Sequence, residues 1–312
     1  MYIENINGPA DVKKLNIAQM TVLASEMRDA LLTKLSRHGG HFGPNFGMIE
    51  ATIALHYVFE SPKDKFVFDV SHQSYPHKML TGRKDAFLYE EHYDDVSGYS
   101  TPHESEHDHF TIGHTSTSVS LACGLAKGRD LKGEDGNVVA IIGDGSLSGG
   151  EALEALDYAA ELDGNLIILV NDNDMSISRN VGNVANYLAK MRSSRQYFRF
   201  KDNAKSFLGS VPVVGKPIRN ALAISKKTLR QMMYHSNLFE DFGLRYFGPV
   251  DGHDLESLRD VFERAREYAR PCVVHVHTTK GMGYRPAMEN PSKYHGVSPF
   301  DLKSGLPLKL SD

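Results

Sequence analysis

Apolar residues at Met20, Leu23, Ala24, Met27, Ala30 and Leu31 recur at the i, i+3, i+4, i+7 spacing of one helical face. This predicts an amphipathic helix over 17–35, stopped by Gly39-Gly40. Residues 48–59 read as a second helix, and 66–70 as a strand running into the polar string from Ser71 to Lys78. The hydroxyl-rich residues from Gly113 to Ser118 open an apolar helix that runs to about residue 129. Two short β-branched runs follow at 138–142 and 166–170, and between them Ala152, Leu153, Ala155, Leu156 and Ala159 give helical spacing over 150–162. Later, 244–247 reads as a strand, 254–268 as a helix and 272–278 as a buried strand, with Asp251-Gly252-His253-Asp254 as a turn and N-cap. Strands without polar alternation, interleaved with helices, predict a doubly wound, mainly parallel α/β sheet flanked by helices.

Candidate chemistry concentrates where strands end. The run 138–142 leads into Gly143-Asp144-Gly145, and 166–170 into Asn171-Asp172-Asn173. Two buried strands joined by one helix should be parallel with a right-handed crossover, so Asp144 and Asn173 should meet at the carboxyl edge, where open α/β sheets bind ligands. A carboxylate, an amide oxygen and turn carbonyls are hard ligands suited to Mg²⁺, which retains positions for water and phosphate oxygens. Gly145 lets the backbone approach closely, and the helix after it offers N–H groups to an anion. A diphosphate of roughly −3 could be nearly neutralised by Mg²⁺ and helix N-termini worth about +0.5 each. No lysine occurs in the stretch 137–178, no P-loop string occurs in the chain, and Gly143, Gly145 and Gly149 miss the dinucleotide-binding spacing. From spacing alone, a βαβ unit whose polar strand ends are only turns remains open.

A net charge of −4 over 312 residues and a pI near 6.4 give no global reason to expect nucleic acid or a membrane as partner. The N-terminus lacks the basic and apolar regions of a signal peptide, and no apolar run approaches a membrane span. Two cysteines, Cys123 and Cys272, both in apolar contexts, suggest neither a disulfide framework nor a zinc site and fit a cytoplasmic setting. From Lys190 to Arg230 eleven Lys or Arg stand against one acidic residue, Asp202. This reads as a solvated excursion over about 181–235. His103-Glu104-Ser105-Glu106-His107 satisfies H-E-x-x-H, but the Pro102 before it and the lack of an apolar face favour a polar loop over a zinc helix.

The order Gly143-Asp144-Gly145, helix, strand, Asn171-Asp172-Asn173 resembles the thiamine diphosphate motif of the transketolase superfamily. The strings SRHGGHF, FDVSHQSYPHKMLTGR and GHTSTSVS narrow the likeness, from about residue 15 onward, to the 1-deoxy-D-xylulose-5-phosphate synthase family. That resemblance implies Mg²⁺ on Asp144, Asn173 and the backbone oxygen of Met175. It implies cofactor contacts at His72, Gly113, His114, Thr115, Gly145, Ser146, Asn173 and Tyr284, and active-site histidines at His41 and His295. The implied reaction condenses pyruvate with glyceraldehyde 3-phosphate, with loss of CO₂, in a homodimer. The implied fold is the diphosphate-binding domain over 1–312, needing a pyrimidine-binding domain in cis or on another chain, and weakly active or inactive alone. A subunit of a split transketolase-like enzyme and a non-catalytic thiamine-binding module are the alternatives. Pro102-His103, Glu151 and Asp157 depart from the family's usual residues.

Overall fold

The computed structural model describes residues 1–173, 175, 183–193 and 238–308. Helix α1 (Ile17–His38) starts at a reciprocal cap in which the Asn16 side chain accepts from Gln19 N (3.0 Å) and Gln19 Oε1 accepts from Asn16 N (2.8 Å). It runs past the expected end to Gly39, whose φ of +82° breaks it. Strand β1 (Gly40–His41) and helix α2 (Ile49–Val58) follow, then β2 (Lys65–Phe68) and α3 (Tyr75–Leu80). Strand β2 ends before the expected residue 70, because Val70 and Ser71 turn to φ +59° and +68°.

Helix α4 (Ser118–Lys132), β3 (Val138–Gly143), α5 (Gly150–Ala160) and β4 (Leu166–Asp172) form the central unit. A single 3₁₀ turn, Ser146–Ser148, separates Gly145 from α5, so that helix does not follow the glycine directly. Helix α6 (Asn183–Ser193), β5 (Arg245–Asp251), α7 (Leu255–Tyr268), β6 (Cys272–His277) and β7 (Gly296–Val297) complete the described chain. Strand β5 passes the Gly248-Pro249 pair that the sequence reading took as its end. It does so through a bulge in which Gly248 (φ +138°) lies so close to His275 O that a side chain would not fit. Apart from α6, the basic excursion expected at 181–235 lies outside the described residues.

The main sheet has five strands in the order β2-β3-β4-β6-β5, all parallel. Alternate residues face opposite layers. Val139, Ile141, Ile167, Leu169, Val274 and Val276 pack with α1, α2 and α7, while Val138, Ala140, Ile142, Leu166, Ile168, Val170 and Val273 pack with α4 and α5. The inner strands β3, β4 and β6 are buried on both faces, which is why their sequences lack polar alternation, while the edge strand β5 is only half-buried. All five carboxyl ends therefore open on one edge. Among the described residues no helix is long and apolar enough to cross a membrane.

Two buried polar groups fix the β2 end of that edge. Asp69 accepts from the backbone N–H of Ser116 (3.0 Å), Thr117 (2.9 Å) and Ser118 (3.0 Å), so the start of α4 is capped by a carboxylate of the protein itself. Ser71 Oγ donates to Ile112 O (2.8 Å) and accepts from Ser100 N (2.9 Å). These bonds hold Val70, Ser71 and Ser116 at positive φ, a conformation costing on the order of 1–3 kcal/mol per residue. Below them runs a histidine chain: His56 Nε2 to His77 Nδ1 (2.9 Å), and His77 Nε2 to Asp108 (3.2 Å). Arg83 bonds Asp108 and Glu104 (2.8 and 3.1 Å), and Lys78 pairs with Glu104 (2.5 Å). The H-E-x-x-H string lies here on turns; Glu104 holds those cations and His107 Nδ1 meets Ser61 Oγ (2.8 Å), so the two histidines do not share a helical face.

Replacing Asp69 by Ala orphans three N–H groups, and should cost on the order of 2–3 kcal/mol in urea unfolding; a loss under about 0.5 kcal/mol would refute the cap. Burial pushes His107 and His109 down to about 4, and drives His56 and His77 below the usual imidazole range as well. These rings are neutral when folded but titrate near 6.5 when unfolded, so the unfolded chain binds the extra protons and stability should fall as pH drops from 6.5 toward 4. The expected slope exceeds about 1.4 kcal/mol per pH unit, the value for one proton. Denaturation midpoints that stay flat from pH 7 to 5 would contradict it.

Candidate functional site

Strands β3 and β4 are paired in register through Gly143 opposite Asn171, and Asp144 N donates to Asn171 O at 3.1 Å. The chain turns upward at both tips. Asp144, 5% exposed, and Asn173 thus line one cavity of about 700 Å³, together with Met175, Gly145 and Ser146. Asn173 Oδ1 accepts from Met175 N (3.2 Å), which shapes the β4 tip as a tight turn. Asn171, beside them, is committed elsewhere: its Oδ1 accepts from Thr278 Oγ1 at 2.6 Å. Gly145 sits at φ −65°, so its use lies in the missing side chain and not in a special backbone angle.

The opposite wall is built of imidazoles. The rings of His41, His72 and His295 stand 5.1–6.3 Å apart, centroid to centroid, and Tyr99 meets His41 edge-on at 5.3 Å. Asn45, fully buried, staples two of them by donating to His41 O (2.8 Å) and His72 O (2.9 Å) while accepting from Tyr75 N (2.9 Å). The short pairing of β1 with β7 brings the His295 loop beside His41. Lys280 Nζ lies 3.0 Å from His295 Nδ1.

Burial, reinforced by the neighbouring rings and Lys280, pushes His72 down to about 3; burial and Lys280 bring His295 to about 4; burial alone lowers His41. All three are neutral imidazoles near pH 7. Burial also lowers Lys280 to about 8, although the Asp144 charge opposes this. Among the described residues the buried Nδ1 atoms of His41 and His72 have no hydrogen-bond partner, a cost tolerated where a ligand's polar atoms complete the set.

Of the residues expected at the site, His41, His72, Thr115, Asp144, Gly145, Ser146, Asn173, Met175 and His295 line this cavity. Three do not. Gly113 and His114 precede the wall, and His114 Nδ1 is turned to the Thr115 carbonyl (2.8 Å). Tyr284 is 8% exposed among Phe42, Tyr294 and Phe300, with its hydroxyl donating to Leu302 O (3.1 Å). The first N–H groups of the hydroxyl-rich start of α4 are taken by Asp69. His103 is exposed on its turn and is not among the lining residues.

Sequence reasoning passed over Asn45, Asp69, Ser116, Tyr99 and Lys280. Lys280 could have been found, since it follows the end of a buried strand as Asp144 and Asn173 do. Ser116 leaves no signal: its Oγ donates to Ser146 O (2.7 Å) only because Gly149, against which it packs, has no side chain.

Residues 3–278 match the family described as 1-deoxy-D-xylulose-5-phosphate synthase. The 1-deoxy-D-xylulose-5-phosphate synthases of Desulforudis audaxviator and Symbiobacterium thermophilum are each 46% identical, over 97% and 98% of this chain and 48% and 47% of their own. The chain thus spans about half the length of the curated relatives it matches. In fold it is similar to the transketolase of Campylobacter jejuni (TM-score 0.65, 18% identity, covering 95% of this chain and 44% of that one). It is also similar to a transketolase variant of Pichia stipitis (TM-score 0.59, 17% identity, 90% and 39%). With its parallel sheet, its cavity at the strand tips and these sequence matches, the chain belongs to the 1-deoxy-D-xylulose-5-phosphate synthase family.

Proposed function

We propose that this chain is the diphosphate-binding half of a thiamine diphosphate- and Mg²⁺-dependent synthase that condenses pyruvate with glyceraldehyde 3-phosphate. The observation that carries the reading is the meeting of Asp144 and Asn173 at adjacent parallel strand tips, in one cavity with Lys280 and three neutral imidazoles.

The residues present fit the cofactor. Asp144, the Asn173 amide oxygen and the Met175 carbonyl would hold Mg²⁺, a hard oxygen set for a hard ion. Lys280 and the N–H groups around Gly145 and Ser146 would take the phosphate oxygens, and the unpartnered Nδ1 of His72 offers a further polar contact there. When bound, thiamine diphosphate supplies the carbon nucleophile that accepts the two-carbon unit. His41 and His295 would then hold and release protons at the substrate carbonyl and carboxylate, since a neutral imidazole accepts a proton and an arriving anion raises its affinity for one. The Lys280 ammonium donates to His295 Nδ1, which puts the proton of that ring on Nε2. Tyr284 acts as packing support for the Lys280 loop. The remaining half of the enzyme would complete the thiazolium and pyrimidine surroundings.

Calorimetry with thiamine diphosphate and Mg²⁺ should detect binding that Asp144→Ala weakens by at least roughly a hundredfold, the upper end of what outer-shell partners contribute. Equal binding by the variant would remove Asp144 from the metal site. In a product assay with pyruvate and glyceraldehyde 3-phosphate, the chain alone should give little product, and addition of the remaining half on a second polypeptide should restore turnover. Absence of product in both arms would overturn the substrate assignment.

A further inference from the structure

The loop that carries Lys280 is gripped at both ends by three side chains that do not contribute to the cavity lining. Arg28 lies on α1, Glu50 on α2, and His253 in the turn after β5. Thr279 N donates to His253 Nε2 at 2.8 Å, and Arg28 Nε donates to Met282 O at 3.0 Å. Both partners converge on one carboxylate: Glu50 Oε2 is 3.0 Å from His253 Nδ1, and Glu50 Oε1 is 2.5 Å from Arg28 NH2.

The chemistry of the bonds fixes the protonation. A backbone N–H can only donate, so His253 Nε2 must be the unprotonated nitrogen and the ring proton must sit on Nδ1, facing Glu50. Glu50 is the acceptor that selects this form. It is only 7% exposed, and burial alone would raise its carboxyl, yet His253 and Arg28 hold it below the usual carboxylate range. A second feature points the same way. Gly283, at φ +89°, has no side chain where one would strike Arg28 Cδ, so the guanidinium can lie against the loop backbone. Gly281 N donates to Gly43 O (3.1 Å), which ties the middle of the loop to the segment after His41.

We infer that His253 and Arg28, both anchored on Glu50, are positioning residues: together they fix both ends of the segment from Thr279 to Met282, and so aim Lys280 into the cavity. This deepens the reading of the cavity as a diphosphate site, because the ammonium would serve that anion only if the loop is held before the ligand arrives. The arrangement resembles the outer partners of a metal-bound histidine, in which a carboxylate sets the ring's tautomer, but here the ring's other nitrogen holds a backbone amide.

His253→Phe keeps the ring size and removes both nitrogens, whereas His253→Gln places an amide oxygen where Nε2 stood. Amide hydrogen exchange of the unliganded chain should show Thr279 exchanging roughly tenfold faster in His253→Phe, the equivalent of one lost hydrogen bond, with β4 amides unchanged. His253→Gln should restore protection. Affinity for thiamine diphosphate with Mg²⁺ should follow the same order, falling roughly tenfold and recovering. Should His253→Phe fail to fold, Arg28→Met reads the other end, and is expected to speed exchange at Thr279 and Gly281. Unchanged Thr279 protection in His253→Phe, a His253→Gln variant as impaired as His253→Phe, or unaltered exchange in Arg28→Met would each overturn the relay. If the unaltered chain binds no thiamine diphosphate while Thr279 still loses protection, the relay stands and the reading of the cavity falls.

Discussion

The parallel, in-register pairing of β3 with β4 is the constraint from which the site follows. Gly143 opposes Asn171, and the ladder closes with Asp144 N donating to Asn171 O, so the next residues on both strands turn out of the sheet together. Neighbouring strands lie about 4.8 Å apart, a spacing that lets side chains on adjacent tips reach one small ion. Had the two strands been antiparallel, Asp144 and Asn173 would stand at opposite edges. The five-strand parallel order extends the same logic, since the tip of β2 brings His72, and the chain beyond β6 brings Lys280, to the same edge.

Electrostatics then decide what the edge can receive. Three imidazoles kept neutral by burial contribute polar atoms without adding charge, so their mutual repulsion is avoided at the cost of leaving two ring nitrogens unpartnered. Lys280, lowered by burial but held partly up by Asp144, brings a cation to a wall that otherwise has little charge. A ligand that arrives with both a divalent cation and an anionic tail would match this division: the cation meets Asp144, and the tail meets Lys280 and backbone N–H groups. An anion without its metal would face the Asp144 carboxylate.

The frame was legible in the sequence because both-face burial writes itself as unbroken β-branched runs, and because capping chemistry is local, as at Asp254. The Asp144 and Asn173 pairing followed from topology alone. What escaped had three physical reasons. Strand β5 runs through a Gly-Pro pair because a bulge against His275 absorbs it, which no local rule anticipates. At the hydroxyl-rich start of α4 the cap is Asp69, 47 residues before Ser116, and no local pattern names it. Tyr284, which the family resemblance implies as a cofactor contact, has its ring in an aromatic cluster with Phe42, Tyr294 and Phe300 that its own loop does not announce. Each of these features depends on a contact between residues distant in the chain.

The carboxylates around this edge divide by where their oxygens point. Asp69 spends its oxygens on three backbone N–H groups and Glu50 its own on a guanidinium and an imidazole, so both are consumed in holding loops still. Asp144 accepts from the N–H of its own neighbour, Gly145, and lines the cavity together with Asp69. A buried carboxylate is tolerable only when its charge is answered, and Asp69 and Glu50 answer theirs with protein donors. Strained backbone at Val70, Ser71 and Ser116 belongs to the same scheme, because the bonds to Asp69 and Ser71 that sustain it also fix the wall against which the ligand would close. A site assembled from the tips of several independent strands has no covalent reason to stay in shape. Asp69, in the cavity wall, and Glu50, outside it, supply that reason through the loops they hold.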